Sequence, residues 1–172
     1  CSRDWSSDVC SSDLILLGLM LSSVSAPVAQ AQSDAEHVLD AMFYNLDENR
    51  DGVIDSAEAD HFIARSFAEM DPGRSGQISR TAFRAYSFGL ADVAAQQGDT
   101  GRYNAAKDAI FNGWSHGAAT LSRAGYRAGV LADARTAMRT KRAGKRRMAG
   151  LRIDHAAFDR IPFIRRLMNA LR

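Results

Sequence analysis

Between Asp47 and Glu58 the chain reads DENRDGVIDSAE, and no other stretch limits what it can fold into so tightly. Short oxygen-bearing side chains stand at alternate positions, Asp47, Asn49 and Asp51, followed by Gly52, Val53, Ile54 and Asp55, with Glu58 closing the run. Such alternation presents oxygens inward from a tightening loop, and a glycine at this point permits the sharp turn. A hard divalent cation takes about six to eight such oxygens. Four carboxylates in twelve residues would then face one ion. The competing reading is a solvated acidic turn, since Asp, Asn and Gly favour turns for conformational reasons alone. A match at every defining position, between two amphipathic segments, argues for the cation.

On the near side, Val38, Leu39, Met42, Phe43 and Leu46 recur at spacings of three and four, predicting a helix capped by Ser33 or Asp34 and ending at Asp47. On the far side, Phe62, Ile63, Phe67 and Met70 predict a second helix ending at Asp71, and Phe83, Tyr86 and Leu90 a third after Ser79. Further helical patterns cover Tyr103 to Trp114, Ser122 to Met138, and Asp154 to Leu171, the last bent at Pro162. No alternating strand of useful length stands out. The unit is helix, polar loop, helix, repeated.

This arrangement resembles the EF-hand calcium-binding family. The resemblance implies an all-α fold and a calcium ion held by Asp47, Asn49, Asp51, the Val53 carbonyl, Asp55 directly or through water, and Glu58 through two oxygens. A second loop begins 24 residues later and looks like a worn copy. It keeps Gly76 and Ile78, but its oxygens are reduced to Asp71, Ser75 and Ser79, and Ala82 stands where the last glutamate is needed. In this family loops work in pairs joined by a short two-stranded contact, which would set Ile54 beside Ile78. The segment Phe111 to Gly129 resembles a third copy, one residue short, with Ser115, Gly117, Ala119 and Gly125 at the ligand positions. Arg146 to Phe158 resembles a fourth, through Ile153 and Asp154. Plain helical hairpins are the alternative for both. The resulting plan is calmodulin-like: an EF-hand pair over residues 32–96 with one intact and one degenerate loop, then a basic helical region over 97–172 that is a vestigial second pair.

Residues 4–13, DWSSDVCSSD, back-translate without strain into a common sequencing-library adapter, so residues 1–14 read as foreign to the protein. Cys1 and Cys10 then drop out, leaving no cysteine for a disulfide framework or a thiolate metal site; a Cys1–Cys10 disulfide is the competing reading. Residues 15–31 combine an apolar stretch with an A-x-A end at Ala29–Ala31, as a secretory signal does, which predicts export to the periplasm or outside the cell. A buried first helix is the alternative. The apolar run from Leu14 fades by Ser25, short of the roughly 20 residues a membrane span needs.

Charge is divided along the chain: Gln32 to Phe83 holds 11 acidic and 4 basic residues, about −7, whereas Arg84 to Arg172 holds 6 and 17, about +11. Eight cations, Arg135, Arg139, Lys141, Arg142, Lys145, Arg146, Arg147 and Arg152, follow one another with no acid between them. With Met138 and Met148 interleaved, this run suits an anionic membrane surface or an acidic protein partner. A solvated face is the competing reading, and nucleic acid is disfavoured because few aromatics interleave to stack on bases. His37, His61, His116 and His155 lack zinc-ligand spacing, and Ser115 beside His116 does not make a triad, so no catalytic residue is predicted. The expected activity is calcium binding, as a weak sensor or a structural brace. The rival is an adaptor whose basic half meets an anionic surface while calcium stabilises the rest.

Overall fold

The computed structural model describes residues 26–139 and 150–172, with residues 26–33 described by backbone alone. It is mostly helical. In chain order the elements are α1 (Ala26–Leu46), β1 (Val53–Asp55), α2 (Ser56–Met70), β2 (Gln77–Ser79), α3 (Arg80–Ala85), α4 (Ala91–Gln96), α5 (Thr100–Ser115), β3 (Thr120–Ser122), α6 (Arg123–Arg139), β4 (Arg152–Asp154), α7 (His155–Phe158) and α8 (Pro162–Asn169).

Four short strands form where no alternating stretch of useful length marks them, and the short two-stranded contact expected between loops does occur, though between other partners. Each is three residues long, too short for a period-two pattern to register, and lies between a turn and the helix that follows. They pair as two antiparallel ladders, β1 with β4 and β2 with β3. Ile54 faces Ile153 and Ile78 faces Leu121, which overturns the expected Ile54–Ile78 contact. The reason lies in α2. It is at once the helix leaving the first loop and the helix entering the second, so β1 and β2 sit at its opposite ends, about 22 Å apart at 1.5 Å per residue. Paired strands lie about 4.8 Å apart. β3 leads directly into α6, which packs against α2, and the strands pair first with last and the middle two with each other.

Other boundaries also differ from the sequence expectation. α1 begins at Ala26 and runs through Ser33 and Asp34 without a cap there, Pro27 being tolerated in a first turn whose amides have no helical partner. The pattern after Ser79 breaks into α3 and α4, because Tyr86 is extended (ψ 129°) and Phe88 and Gly89 take left-handed backbone (φ 47° and 77°). Pro162 opens α8 instead of bending one long helix. The third unit runs helix, turn, strand, helix (α5, residues 116–119, β3, α6); of the fourth, β4 and α7, which carries Phe158, are described, and Arg146 lies outside the described residues.

One buried apolar cluster spans both sequence halves. Phe43 packs edge-on against Phe158 and Phe83 against Phe111 and Trp114, while Phe67 meets Tyr126 at a tilt. Trp114 is also held by Tyr126 and Phe163 at ring distances of 5.7 and 5.4 Å. A Cβ on Gly129 would lie 2.4 Å from Trp114 Cγ, so α6 passes the indole only because position 129 has no side chain. Gly129→Ala should therefore destabilise the fold by about 1–3 kcal/mol despite its better helix propensity, read as a lower urea midpoint.

Candidate metal centre

The Asp47–Glu58 loop is built by its own side chains. Asp47, at the end of α1 and 2% exposed, accepts the Asp51 amide on Oδ1 (3.1 Å) and the Gly52 amide on Oδ2 (2.8 Å). Asn49 Oδ1 accepts the Asp51 amide (2.8 Å), and Asp51 Oδ1 the Val53 amide (3.0 Å). Left-handed backbone at Arg50 (φ 59°) and Gly52 (φ 79°) supplies the curl. At the exit, Asp55 caps α2 by accepting the Ala57 and Glu58 amides, and Glu58 returns the contact to the Asp55 amide through Oε2 (2.9 Å). Glu58 Oε1 reaches further, to the Asn49 amide (3.1 Å), so one carboxylate, 6% exposed, ties the two ends of the loop together.

None of Asp47, Asp51, Asp55 and Glu58 forms an ion pair among the described residues. All their contacts are to backbone amides, and among the described residues no three acidic, His or Cys side chains converge on one ion-sized point. The donor set is nevertheless all hard oxygen: two buried carboxylates at the ends, two further carboxylates, one amide oxygen and the Val53 carbonyl. An ionised carboxylate that accepts one or two amides keeps lone pairs for a cation, so these residues fit an oxygen-seeking divalent ion.

The second loop repeats the scaffold with a single carboxylate, Asp71. Asp71 accepts the Ser75 amide (2.9 Å) and hydroxyl (2.8 Å) and the Gly76 amide (2.7 Å), and Arg74 and Gly76 are left-handed (φ 53° and 76°). Burial pushes the Asp71 carboxyl up, and those Ser75 and Gly76 hydrogen bonds more than offset it, holding it below its ordinary range. Ser79 Oγ caps α3 by accepting the Ala82 amide (3.1 Å), and Ala82 offers no oxygen where Glu58 stands in the first loop. In the third unit Ser115 ends α5 with its hydroxyl oxygen buried, and His116 and Gly117 are left-handed (φ 51° and 82°). No carboxylate stands in its turn, residues 116–119, and Gly125 lies in the first turns of α6. In the fourth, Asp154 is spent capping α7 through the Ala157 amide (2.7 Å).

Of the eight expected cationic residues, Arg135 and Arg139 lie on α6 and Arg152 on β4, where it is the cross-strand neighbour of Asp55. Lys141, Arg142, Lys145, Arg146 and Arg147 lie outside the described residues. Arg135 and Arg139 line an open cleft of about 490 Å³ with Arg127, whose guanidinium is paired to Asp60 at 2.8 Å. His61 pairs with Glu48 (3.1 Å), and His155 bridges Asp40 (2.9 Å) and Asp159 (3.8 Å).

Sequence reading did not single out Lys107. It is 2% exposed, and its Nζ donates to the carbonyls of Arg84 and Tyr86 and lies over the Tyr103 ring, closing the C-terminal end of α3. A lone lysine on a helix carries no sequence signal for this. Burial, aided by the Arg84 charge and opposed by Asp108, pushes its amine down to about 8. The unfolded chain then binds more protons above that value, so stability should rise with pH from about 8 toward 10 and be flat below 8. Melting temperatures across this range should rise in the wild type and lose most of that slope in Lys107→Met.

In comparisons with known proteins, the chain matches no family model, no curated protein sequence and no solved structure.

Proposed function

We propose that this chain is an exported calcium-binding protein of the EF-hand type, in which the Asp47–Glu58 loop holds one ion and the second, third and fourth units serve as scaffold. The observation that carries this is Glu58: a buried carboxylate whose two oxygens accept the Asn49 and Asp55 amides, closing a loop whose four carboxylates form no ion pair among the described residues. Asp47, Asn49, Asp51, the Val53 carbonyl, Asp55 and Glu58 would hold the ion, and its charge would relieve the repulsion among those acids. The loop is joined to β4 by the β1 ladder and to α2 by its capping box, so it is pre-curled on two sides. This supports calcium as a brace over calcium as a switch. Extracellular modules of this kind bind at about 0.1–1 mM, matched to calcium outside the cytosol. The export reading rests on residues 15–31; of these, residues 15–25 lie outside the described residues, and α1 runs unbroken from Ala26 across the Ala31 position.

Calorimetric titration of the chain with calcium, with magnesium as competitor, tests this reading. One site is expected, in the millimolar range or tighter, with magnesium a poor competitor because it resists exchanging its waters for a flexible oxygen loop. Absence of binding heat together with absence of calcium-dependent stabilisation would sink it.

The second reading, an adaptor for an acidic protein or anionic membrane, is favoured by Arg135 and Arg139, which have no ion-pair partner among the described residues. Binding to anionic vesicles that falls with ionic strength but survives calcium chelation would point there.

A further inference from the structure

An open recess of about 380 Å³ lies between α6 and α8, at the small end of the range of small-molecule sites, and its lining contains three arginines and no acid. Arg160 stands in the turn before α8, Arg165 and Arg166 project from α8 itself, and Thr136 and Asn169 add a hydroxyl and an amide. None of the three arginines is ion-paired among the described residues. The Nε of Arg160 is buried and has no hydrogen-bond partner among the described residues. A guanidinium nitrogen can only donate, so a buried one without an acceptor leaves an unmet demand that burial makes expensive.

Asp133 and Asp159 act electrostatically on Arg166 and Arg160, and Glu36, Asp40 and Asp159 line an adjoining cleft that shares Arg165, none of them lining this recess. Asp133, near Arg166, faces the Trp114 indole and the Phe163 amide, and Asp159, near Arg160, shares His155 with Asp40. The recess thus keeps a surplus of donors. Planar guanidinium forks match tetrahedral oxyanions through paired, charge-assisted hydrogen bonds, and the donor-only chemistry of three forks suits a group with several negative oxygens more than a neutral ligand. We propose that this recess is a binding site for a phosphate group, gripped by Arg160, Arg165 and Arg166. It is separate from the Asp47–Glu58 loop and stands independently of the calcium reading. A soluble phosphomonoester and a phosphate-bearing lipid headgroup present the same chemistry to it.

The test is calorimetric titration of the full chain, without added calcium and at low ionic strength, with inorganic phosphate and with glycerol 3-phosphate. Co-sedimentation with phosphatidylcholine vesicles with and without phosphatidic acid forms the second arm. Saturable binding in either arm is expected, weakened about tenfold or more in Arg165→Gln/Arg166→Gln through loss of charge-assisted hydrogen bonds. It should be unchanged in Arg65→Gln/Arg102→Gln, which removes equal charge from exposed positions outside the recess. Binding of the free phosphates assigns a soluble source, and binding confined to phosphatidic acid vesicles assigns a lipid. Arg160→Lys keeps the charge but removes the planar guanidinium fork, and should weaken binding on its own, which preserves the test if the double variant fails to fold. Absence of binding in both arms, or binding that survives loss of Arg165 and Arg166, overturns the proposal.

Discussion

Calcium at 10 mM should raise the unfolding temperature of the wild-type chain by about 3–10 °C and leave Glu58→Gln nearly unmoved. A ligand that binds only the folded state stabilises it by RT ln(1 + [L]/Kd), about 1.4–2.7 kcal/mol for dissociation constants of about 0.1–1 mM. A chain of this size gains roughly 2–4 °C for each kcal/mol. Glutamine at position 58 still offers one carbonyl oxygen, so it can retain one of the two amide contacts made to Asn49 and Asp55. It loses the second oxygen and the charge. The calcium-free protein should therefore weaken by only about 1 kcal/mol, the worth of one ordinary hydrogen bond. Parallel melts of both proteins, with calcium and with chelator, separate the two effects. A calcium response that survives in Glu58→Gln would remove this loop as the site.

The second large effect concerns which loops support each other. Ile153→Ala should cost about 2–5 kcal/mol, as truncation of a buried isoleucine does, and should also weaken calcium binding, because Ile153 is the direct partner of Ile54 inside the candidate metal loop. Ile78→Ala should cost about as much, since Ile78 is fully buried, yet it faces Leu121 in the other ladder. The decisive quantity is the coupling energy from double-mutant cycles measured by urea denaturation. Ile54 with Ile153 should show coupling of about 0.5 kcal/mol or more, and Ile54 with Ile78 little, because contacting residues couple and separated ones add. The reverse result would restore pairing between consecutive loops.

The acidic loop was legible residue by residue. Asp47, Asn49, Asp51, Asp55 and Glu58 all take part in the hydrogen bonds that shape it, and Gly52 sits where the backbone turns left-handed. The worn state of the second loop was equally plain, since Ala82 offers no oxygen. Helical periodicity located most of α2, α5 and α6 but erred where a helix is interrupted by backbone shape alone, as at Phe88 and Gly89. The expected start of α1 failed because Ser33 and Asp34 are as compatible with a helix interior as with a cap when the preceding residues also go helical. Lys107 and the arginine recess escaped notice because their meaning comes from neighbours 20 or more residues away, Arg84 and Tyr86 for the lysine and Thr136 for Arg160.

What the sequence determined by itself was local: the order of helices and turns, and a loop whose alternating oxygens, glycine and capping glutamate interact within twelve residues. Partnership was decided only in three dimensions. Consecutive pairing needs two helices and a linker between loops, whereas the 24 residues from Asp47 to Asp71 leave room for a single shared helix. A rigid α2 holds its two strands a helix length apart, so each satisfies its open edge with a strand from the second half, β2 with β3 and β1 with β4, and the first loop is closed by the last of the described strands.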